Sequence, residues 1–212
     1  DHKRVGEGDK GKNTGGMGAY SPSGLINEDL DFKIIEKVIK PTFNAIKDMK
    51  GKYKGFLYVG LMIKDNNPYL VEYNVRMGDP ECQTILPLLE TDLLDLILSC
   101  CEENLEDQII KWKSKKSMCV VLCAKGYPDK YKKNIEIPNL ETITNNKDTF
   151  IYHAGTEFVD NKIYATGGRV LNFVNISEDL KKSRQTVIQE IEKLDWGNGF
   201  YRKDIGFRII DK

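Results

Sequence analysis

The chain has 212 residues, enough for one large domain or two small ones with cores of their own. Lysine plus arginine and aspartate plus glutamate both number 32, so the formal net charge is zero and no global basic field argues for nucleic acid or a membrane surface. No apolar run approaches a membrane span and no signal-peptide pattern is visible. The five cysteines lack paired C-x-x-C spacing, which predicts reduced thiols in a cytoplasmic protein and argues against a disulfide framework or a zinc site.

Residues 1–24 are rich in glycine, lysine and asparagine and show little apolar periodicity, which predicts a long loop. Backbone amides around Thr14-Gly15-Gly16 can form an anion nest, with Lys3, Arg4, Lys10 and Lys12 nearby in sequence; a plain surface loop is the alternative. Asn27 is placed to cap a helix with Glu28 and Asp29 in its first turn. Leu30, Ile34, Ile35, Val38 and Ile39 form its stripe, and Pro41 is expected to kink or divide it.

The run Phe56–Ile63 fits a strand buried on both faces. Asp65-Asn66-Asn67-Pro68 turns it back into a second strand, Tyr69–Arg76, completing an antiparallel hairpin. Alternation on that second strand sends Glu72, Asn74 and Arg76 to one face and Val71, Tyr73 and Val75 to a packed face. A carboxylate, an amide oxygen and a guanidinium in a row suit Mg²⁺, which takes one or two hard oxygens from protein, with Arg76 beside it for a phosphate or carboxylate. The competing reading is a solvated face with Glu72 and Arg76 as an ion pair. Gly78-Asp79-Pro80-Glu81 follows as a compact acidic turn.

Thr91 is placed to cap a helix whose leucines and isoleucine predict substantial burial, with Cys100 and Cys101 as buried structural thiols at its end. The charged stretch from Glu102 to Lys116 reads as a connection. Met118–Cys123 is a buried strand, and short strands are expected near Asn134–Ile137, Phe150–Tyr152, Lys162–Ala165 and Arg169–Val174. Ser177 then caps a helix with the stripe Leu180, Val187, Ile188, Ile191 and Leu194. The second half thus reads as a small antiparallel α+β module. His153 reads as structural, while Arg169, after two glycines, is either an anion ligand or a surface arginine.

Taken together and in order, Asp1-His2-Lys3-Arg4, Asn13-Thr14-Gly15-Gly16-Met17-Gly18-Ala19-Tyr20, Glu72-Tyr73-Asn74-Val75-Arg76 and Gly78-Asp79-Pro80-Glu81 resemble the phosphoribosylamine–glycine ligase family of ATP-grasp enzymes. The resemblance continues through His153-Ala154-Gly155-Thr156, Gly167-Gly168-Arg169-Val170-Leu171 and Arg202-Lys203-Asp204-Ile205-Gly206, nearly end to end. It implies the second half of an ATP-grasp domain over 1–104, followed by a small barrel-like antiparallel C-terminal domain over 105–212. It also implies that the chain is the C-terminal half of a longer enzyme, inactive by itself, whose N-terminal half is missing.

The activity implied is ligation of glycine to 5-phosphoribosylamine, driven by ATP with Mg²⁺ or Mn²⁺, in a cytoplasmic monomer or homodimer of purine biosynthesis. Glu72 and Asn74 would hold the metal, and Arg76 and Asp79 would act catalytically. Lys3, Thr14, Gly15, Gly16 and Gly18 would bind the nucleotide, and Asp1 and Arg169 the substrate. The alternatives are another ATP-grasp carboxylate–amine ligase or a non-catalytic phosphate-binding module.

Overall fold

The computed structural model describes residues 1–49, 53–143 and 147–211. The chain is α+β, and every strand pairing among the described residues is antiparallel. Its packing divides into two units that do not follow chain order: Asp1–Pro22, Asp79–Leu89 and Trp112–Lys212 form one, and Ser23–Gly78 with Glu90–Lys111 the other.

In the first unit, β1 (Arg4–Gly6), β2 (Lys10–Asn13) and β3 (Gly18–Ser21) replace the expected open loop. β1 and β2 form a small ladder, Arg4 opposite Asn13 and Gly6 opposite Lys10. β3 joins the main sheet, because glycine at 18 lets two backbones approach: a Cβ there would sit 2.5 Å from the Cys119 carbonyl oxygen.

In the second unit, α1 (Glu28–Ile34) starts as predicted, with Asn27 Oδ1 accepting the Leu30 amide at 2.8 Å. Pro41 does not break the path to α2 (Lys40–Asp48). A π turn over Ile35–Ile39 intervenes, closed by the Lys40 amide on the Ile35 carbonyl, so the wide turn falls just before the residue that lacks an N–H. β4 (Tyr58–Lys64) and β5 (Asn67–Asn74) make the predicted hairpin. Its two-residue turn is Asp65-Asn66, both at positive φ, the conformation that asparagine and aspartate tolerate best after glycine.

Burial in this unit departs from expectation. Met62 on β4 is 61 % exposed, and the supposedly packed side of β5 is open, with Val71, Tyr73 and Val75 all exposed. The register slips between Gly60 and Leu61, leaving Val71 as an extra residue and breaking the simple alternation. The next helices are α3 (Glu81–Ile85), in the first unit, and α4 (Leu93–Glu102), in the second. α4 is capped by Asp92 instead of Thr91, and Leu94 and Leu98 are exposed where burial was predicted. Thr91 Oγ1 is engaged elsewhere, accepting the Lys111 amide at 2.7 Å. Cys101 is exposed and Cys100 half-buried, so neither is the buried thiol expected.

The remaining elements belong to the first unit: β6 (Lys116–Ala124), β7 (Ile135–Glu136), β8 (Thr149–His153), β9 (Thr156–Val159), β10 (Lys162–Ala165) and β11 (Arg169–Ser177). α5 (Leu180–Lys193), β12 (Gly199–Phe200) and α6 (Phe207–Ile210) complete it. β9 and β12 have too few apolar residues to announce themselves in sequence. β6 is central: β11 lies along one edge, β3 and β12 along the other, and β8 follows β11. The sheet is open and does not close into a barrel among the described residues. Met118–Ala124 are all buried, as a continuous apolar run on a central strand requires. Leu180, Val187, Ile191 and Leu194 of the predicted stripe pack α5 into this core. Asp179, not Ser177, caps α5, accepting the Lys181 amide at 3.0 Å. Cys119 and Cys123 are buried in β6; burial pushes the Cys123 thiol up to about 12 and raises Cys119 as well, so both stay protonated.

Candidate active site

The metal candidates sit on β5. Glu72 is exposed and Asn74 half-buried. Gly60 pairs opposite Glu72, and a Cβ at that position would come within 3.0 Å of Glu72 Cγ, so the glycine leaves room for the carboxylate stem. One carboxylate and one amide oxygen on an open strand suit an ion that keeps several waters. Among the described residues no group of three or more His, Cys, Asp or Glu side chains is arranged to hold a metal unaided. Arg76 leaves the row: β5 ends at Asn74, Arg76 lies in a bend, and its Nη1 donates to the Met77 carbonyl at 2.8 Å.

The other candidates fall in the first unit, where Arg169 is the hub. At the start of β11 it forms a two-pronged pair with Asp79, Nη2 to Oδ2 at 3.0 Å and Nη1 to Oδ1 at 3.3 Å. Nη1 also donates to the carbonyls of Asp79 (2.8 Å) and Gly15 (3.0 Å). One planar fork thus ties the glycine-rich segment, the acidic turn and the sheet together, a task that lysine's point charge would not perform. Glycine at 15 leaves room for the fork as it lies, since a Cβ would sit 2.9 Å from Arg169 Cζ. Gln83 Nε2 donates to Asp79 Oδ1 at 2.9 Å and fixes the carboxylate from the other side.

The amides of the predicted nest are spent on the protein. Thr14 N donates to the Lys3 carbonyl, Gly15 N to the Tyr127 hydroxyl, Gly16 N to Thr14 Oγ1 and Met17 N to the His2 carbonyl. The segment is therefore a shaped strap and not an open anion cradle. Lys3, one of its cations, is half-exposed, with Nζ 2.6 Å from Asp1 Oδ2. Gly18 belongs to the β3 ladder. His153 is exposed and bonded to Thr156 Oγ1, in keeping with a structural role.

Sequence reasoning missed two groups. Tyr127 follows β6 in a Gly-Tyr-Pro turn and braces Gly15 at 3.0 Å. A charged cluster around Arg202 joins Asp9, Asp204, His2 and Arg208; the motif Arg202–Gly206 flagged the place but not the role. In it the Gly206 amide donates to His2 Nε2 at 3.0 Å, which fixes the tautomer with the proton on Nδ1, facing Asp9 Oδ1 at 3.2 Å. Burial, which outweighs the bond to Asp9, lowers the His2 pKa and keeps the ring neutral.

Residues 1–82 match the phosphoribosylglycinamide synthetase ATP-grasp (A) domain, and residues 117–208 match the C domain of the same synthetase. A phosphoribosylamine–glycine ligase of Caldanaerobacter subterraneus is 45 % identical over 97 % of this chain and 48 % of its own length. The chloroplastic phosphoribosylamine–glycine ligase of Arabidopsis thaliana is 40 % identical over 99 % of this chain and 40 % of its own length. The crystal structure of phosphoribosylamine–glycine ligase from Thermotoga maritima superposes with a TM-score of 0.83 at 35 % identity, covering 97 % of this chain and 50 % of that one. A biotin carboxylase domain shares the fold alone, at a TM-score of 0.62 and 14 % identity, over 91 % of this chain and 41 % of that one. The chain spans about half the length of the curated relatives it matches.

Proposed function

This chain belongs to the phosphoribosylglycinamide synthetase family, and from that premise we propose that it is part of an ATP-dependent ligase joining glycine to 5-phosphoribosylamine. One observation carries the reading: the A domain and the C domain of the same synthetase are both matched, one after the other, across most of the chain. Residues 1–104 then supply the later part of an ATP-grasp domain and 105–212 the C-terminal domain. Because the relatives are about twice as long, the 212 residues alone are expected to release no ADP. The free cysteines support a reducing compartment, and we place the enzyme in the cytoplasm.

The chemical problem is that a carboxylate is a poor electrophile. Transfer of the γ-phosphoryl group of ATP to the glycine carboxylate gives glycyl phosphate and ADP. Attack by the amine then forms the amide bond, expels phosphate and releases one proton, giving glycinamide ribonucleotide. No side chain has to form a covalent bond, so the protein contributes alignment, charge neutralisation and exclusion of water. Glu72 and Asn74 would hold Mg²⁺ or Mn²⁺, which offsets the negative charge of the nucleotide phosphates. Arg76 is exposed and offers its remaining N–H groups to developing phosphoryl charge. Lys3 supplies a cation for phosphate, and Thr14, Gly15, Gly16 and Gly18 give the strap its shape beside it. Asp1 faces the amine-bearing substrate. Asp79, held by Arg169 and Gln83, is oriented to receive the glycine ammonium group, and Arg169 acts on substrate through it.

The test is ADP release by a polypeptide of the relatives' full length carrying these residues, with glycine and freshly generated phosphoribosylamine, omitting each in turn. Release should require both and fall roughly a hundredfold or more in Glu72→Ala, with a higher metal requirement. Release with a different acid–amine pair would keep the ATP-grasp chemistry and overturn the substrate. No release with any pair from a folded protein would leave a binding module.

A further inference from the structure

The glycine-rich strap has an unusual anchoring problem. Between Asp1 and Gly16 the only aliphatic side chain is Val5, so apolar packing cannot define where this segment lies. Arg169 and Tyr127 hold it at Gly15; its earlier part is held by Arg202, a guanidinium with 1 % of its surface exposed. Its Nε and Nη2 grip both oxygens of Asp204, each at 2.8 Å. Its Nη1 reaches across to Asp9 Oδ1 at 2.8 Å and to the Arg4 carbonyl, in β1, at 3.0 Å.

The surrounding contacts repeat the pattern. Asp204 Oδ2 accepts the Gly8 amide at 2.7 Å, Glu7 Oε1 accepts the Lys203 amide at 3.1 Å, and His2 Nε2 accepts the Gly206 amide at 3.0 Å. Arg208 adds a second cation on Asp9 at 2.6 Å. The segment 202–208 thus fixes the strap at residues 2, 4, 7, 8 and 9 through directional polar bonds, with the Phe207 ring also against His2.

Such an arrangement is a poor device for stability alone. Desolvating an ion pair costs about as much as it returns, and apolar replacements of similar size are often neutral or stabilising. What a buried fork with fixed partners does supply is a single geometry. The geometry points to Arg202 as a positioning residue, acting through Asp9 and Asp204 to hold the β1–β2 hairpin so that Lys3 and Asp1 meet the phosphate-bearing amine substrate. This rests on the ligase reading above and adds to it a residue that touches no substrate.

The test uses the full-length polypeptide with two variants, Arg202→Met and the charge-compensated Arg202→Met/Asp204→Asn, beside Arg202→Lys. Two readouts are taken: KM for phosphoribosylamine against KM for glycine, and trypsin cleavage after Lys10 and Lys12, mapped by mass spectrometry. Positioning predicts a tenfold or greater rise in the phosphoribosylamine KM with the glycine KM within about twofold. It also predicts at least tenfold faster cutting at Lys10 and Lys12 in the compensated variant at an unchanged melting temperature, and partial rescue by lysine. Unchanged KM values and cleavage in a folded compensated variant would overturn it, as would a uniform loss of active enzyme that simply tracks a lowered melting temperature. A wild-type protein inert toward glycine and phosphoribosylamine would sink the ligase reading, and the cleavage arm would still decide whether Arg202 holds the hairpin.

Discussion

The unit organised on β6 and the unit organised on the β4–β5 hairpin draw on the same apolar residue types and use them differently. In the first, Met118–Ala124, Val170, Leu171, Phe173 and Val174 lose nearly all their surface, and α5 closes over them. In the second, the described residues that are buried are few, Leu30, Val38, Gly78 and Ser99, while Phe32, Phe43, Met62, Val71, Val75, Leu94 and Ile109 stay exposed. Val75 reaches 76 %. Apolar periodicity records a capacity to pack. Whether that capacity is used depends on a second surface, which periodicity does not encode.

The contrast can be broken most forcefully in the core. Phe173→Ala on β11 should cost roughly 3–5 kcal/mol, because a fully buried ring leaves a cavity that two flanking strands cannot collapse. Urea unfolding would read it, and a loss below about 1 kcal/mol would mean that the sheet does not carry the stability assigned to it.

A smaller effect, confined to the same unit, comes from the charged cluster. His2 is neutral in the fold with its pKa below the ordinary 6.5, so the unfolded chain takes up a proton first as pH falls. Stability should therefore decline from about pH 6.5 downward, and the urea midpoint should be lower near pH 5 than near pH 7. Burial acts to raise the Asp9 pKa, but hydrogen bonds from Arg202, His2 and Arg208 outweigh it and hold the carboxyl well below its usual 3.8. That contribution has the same sign and is lost only at still lower pH. His2→Gln should flatten the upper window; a wild-type midpoint that does not move between the two pH values would mean that His2 takes up its proton at the same pH in the fold as in the unfolded chain.

The smallest change sharpens the comparison from the other side. Val75→Ser should alter stability by no more than about 0.5 kcal/mol, as expected for an exposed apolar side chain. A larger loss, especially one that grows with protein concentration, would show that this face is covered in solution.

Much of the scaffold was legible because it rests on local rules. Asn27 had to cap α1, Asp65-Asn66 had to turn the hairpin, and the run Met118–Cys123 had to be a central strand. The failures share a physical cause as well. The strap was read as a loop because β1, β2 and β3 are specified by glycine clearances and by partners far along the chain, at Cys119, Arg169 and Arg202. Thr91 and Asp92 are equally good caps on paper, and only the Lys111 amide decides between them. Glu72 and Asn74 were visible as an alternating pair. Arg76 was placed with them by extending a strand that ends two residues earlier, and two of the amides proposed as an anion nest, those of Thr14 and Gly15, were already committed to distant acceptors at Lys3 and Tyr127.

The position of β6 has a consequence for how the molecule comes to be made. Gly18 reaches its partner Val120 only after about 100 intervening residues, and Cys123 waits about 80 more for Phe200. Such separations mean high contact order and slow assembly. During synthesis the most apolar strand leaves the ribosome before β11 and β12 exist, with β3 as the one sheet partner already made. For that interval an unpaired hydrophobic edge is open to the wrong neighbour, which makes this stretch the natural place for a holding chaperone to bind or for aggregation to begin.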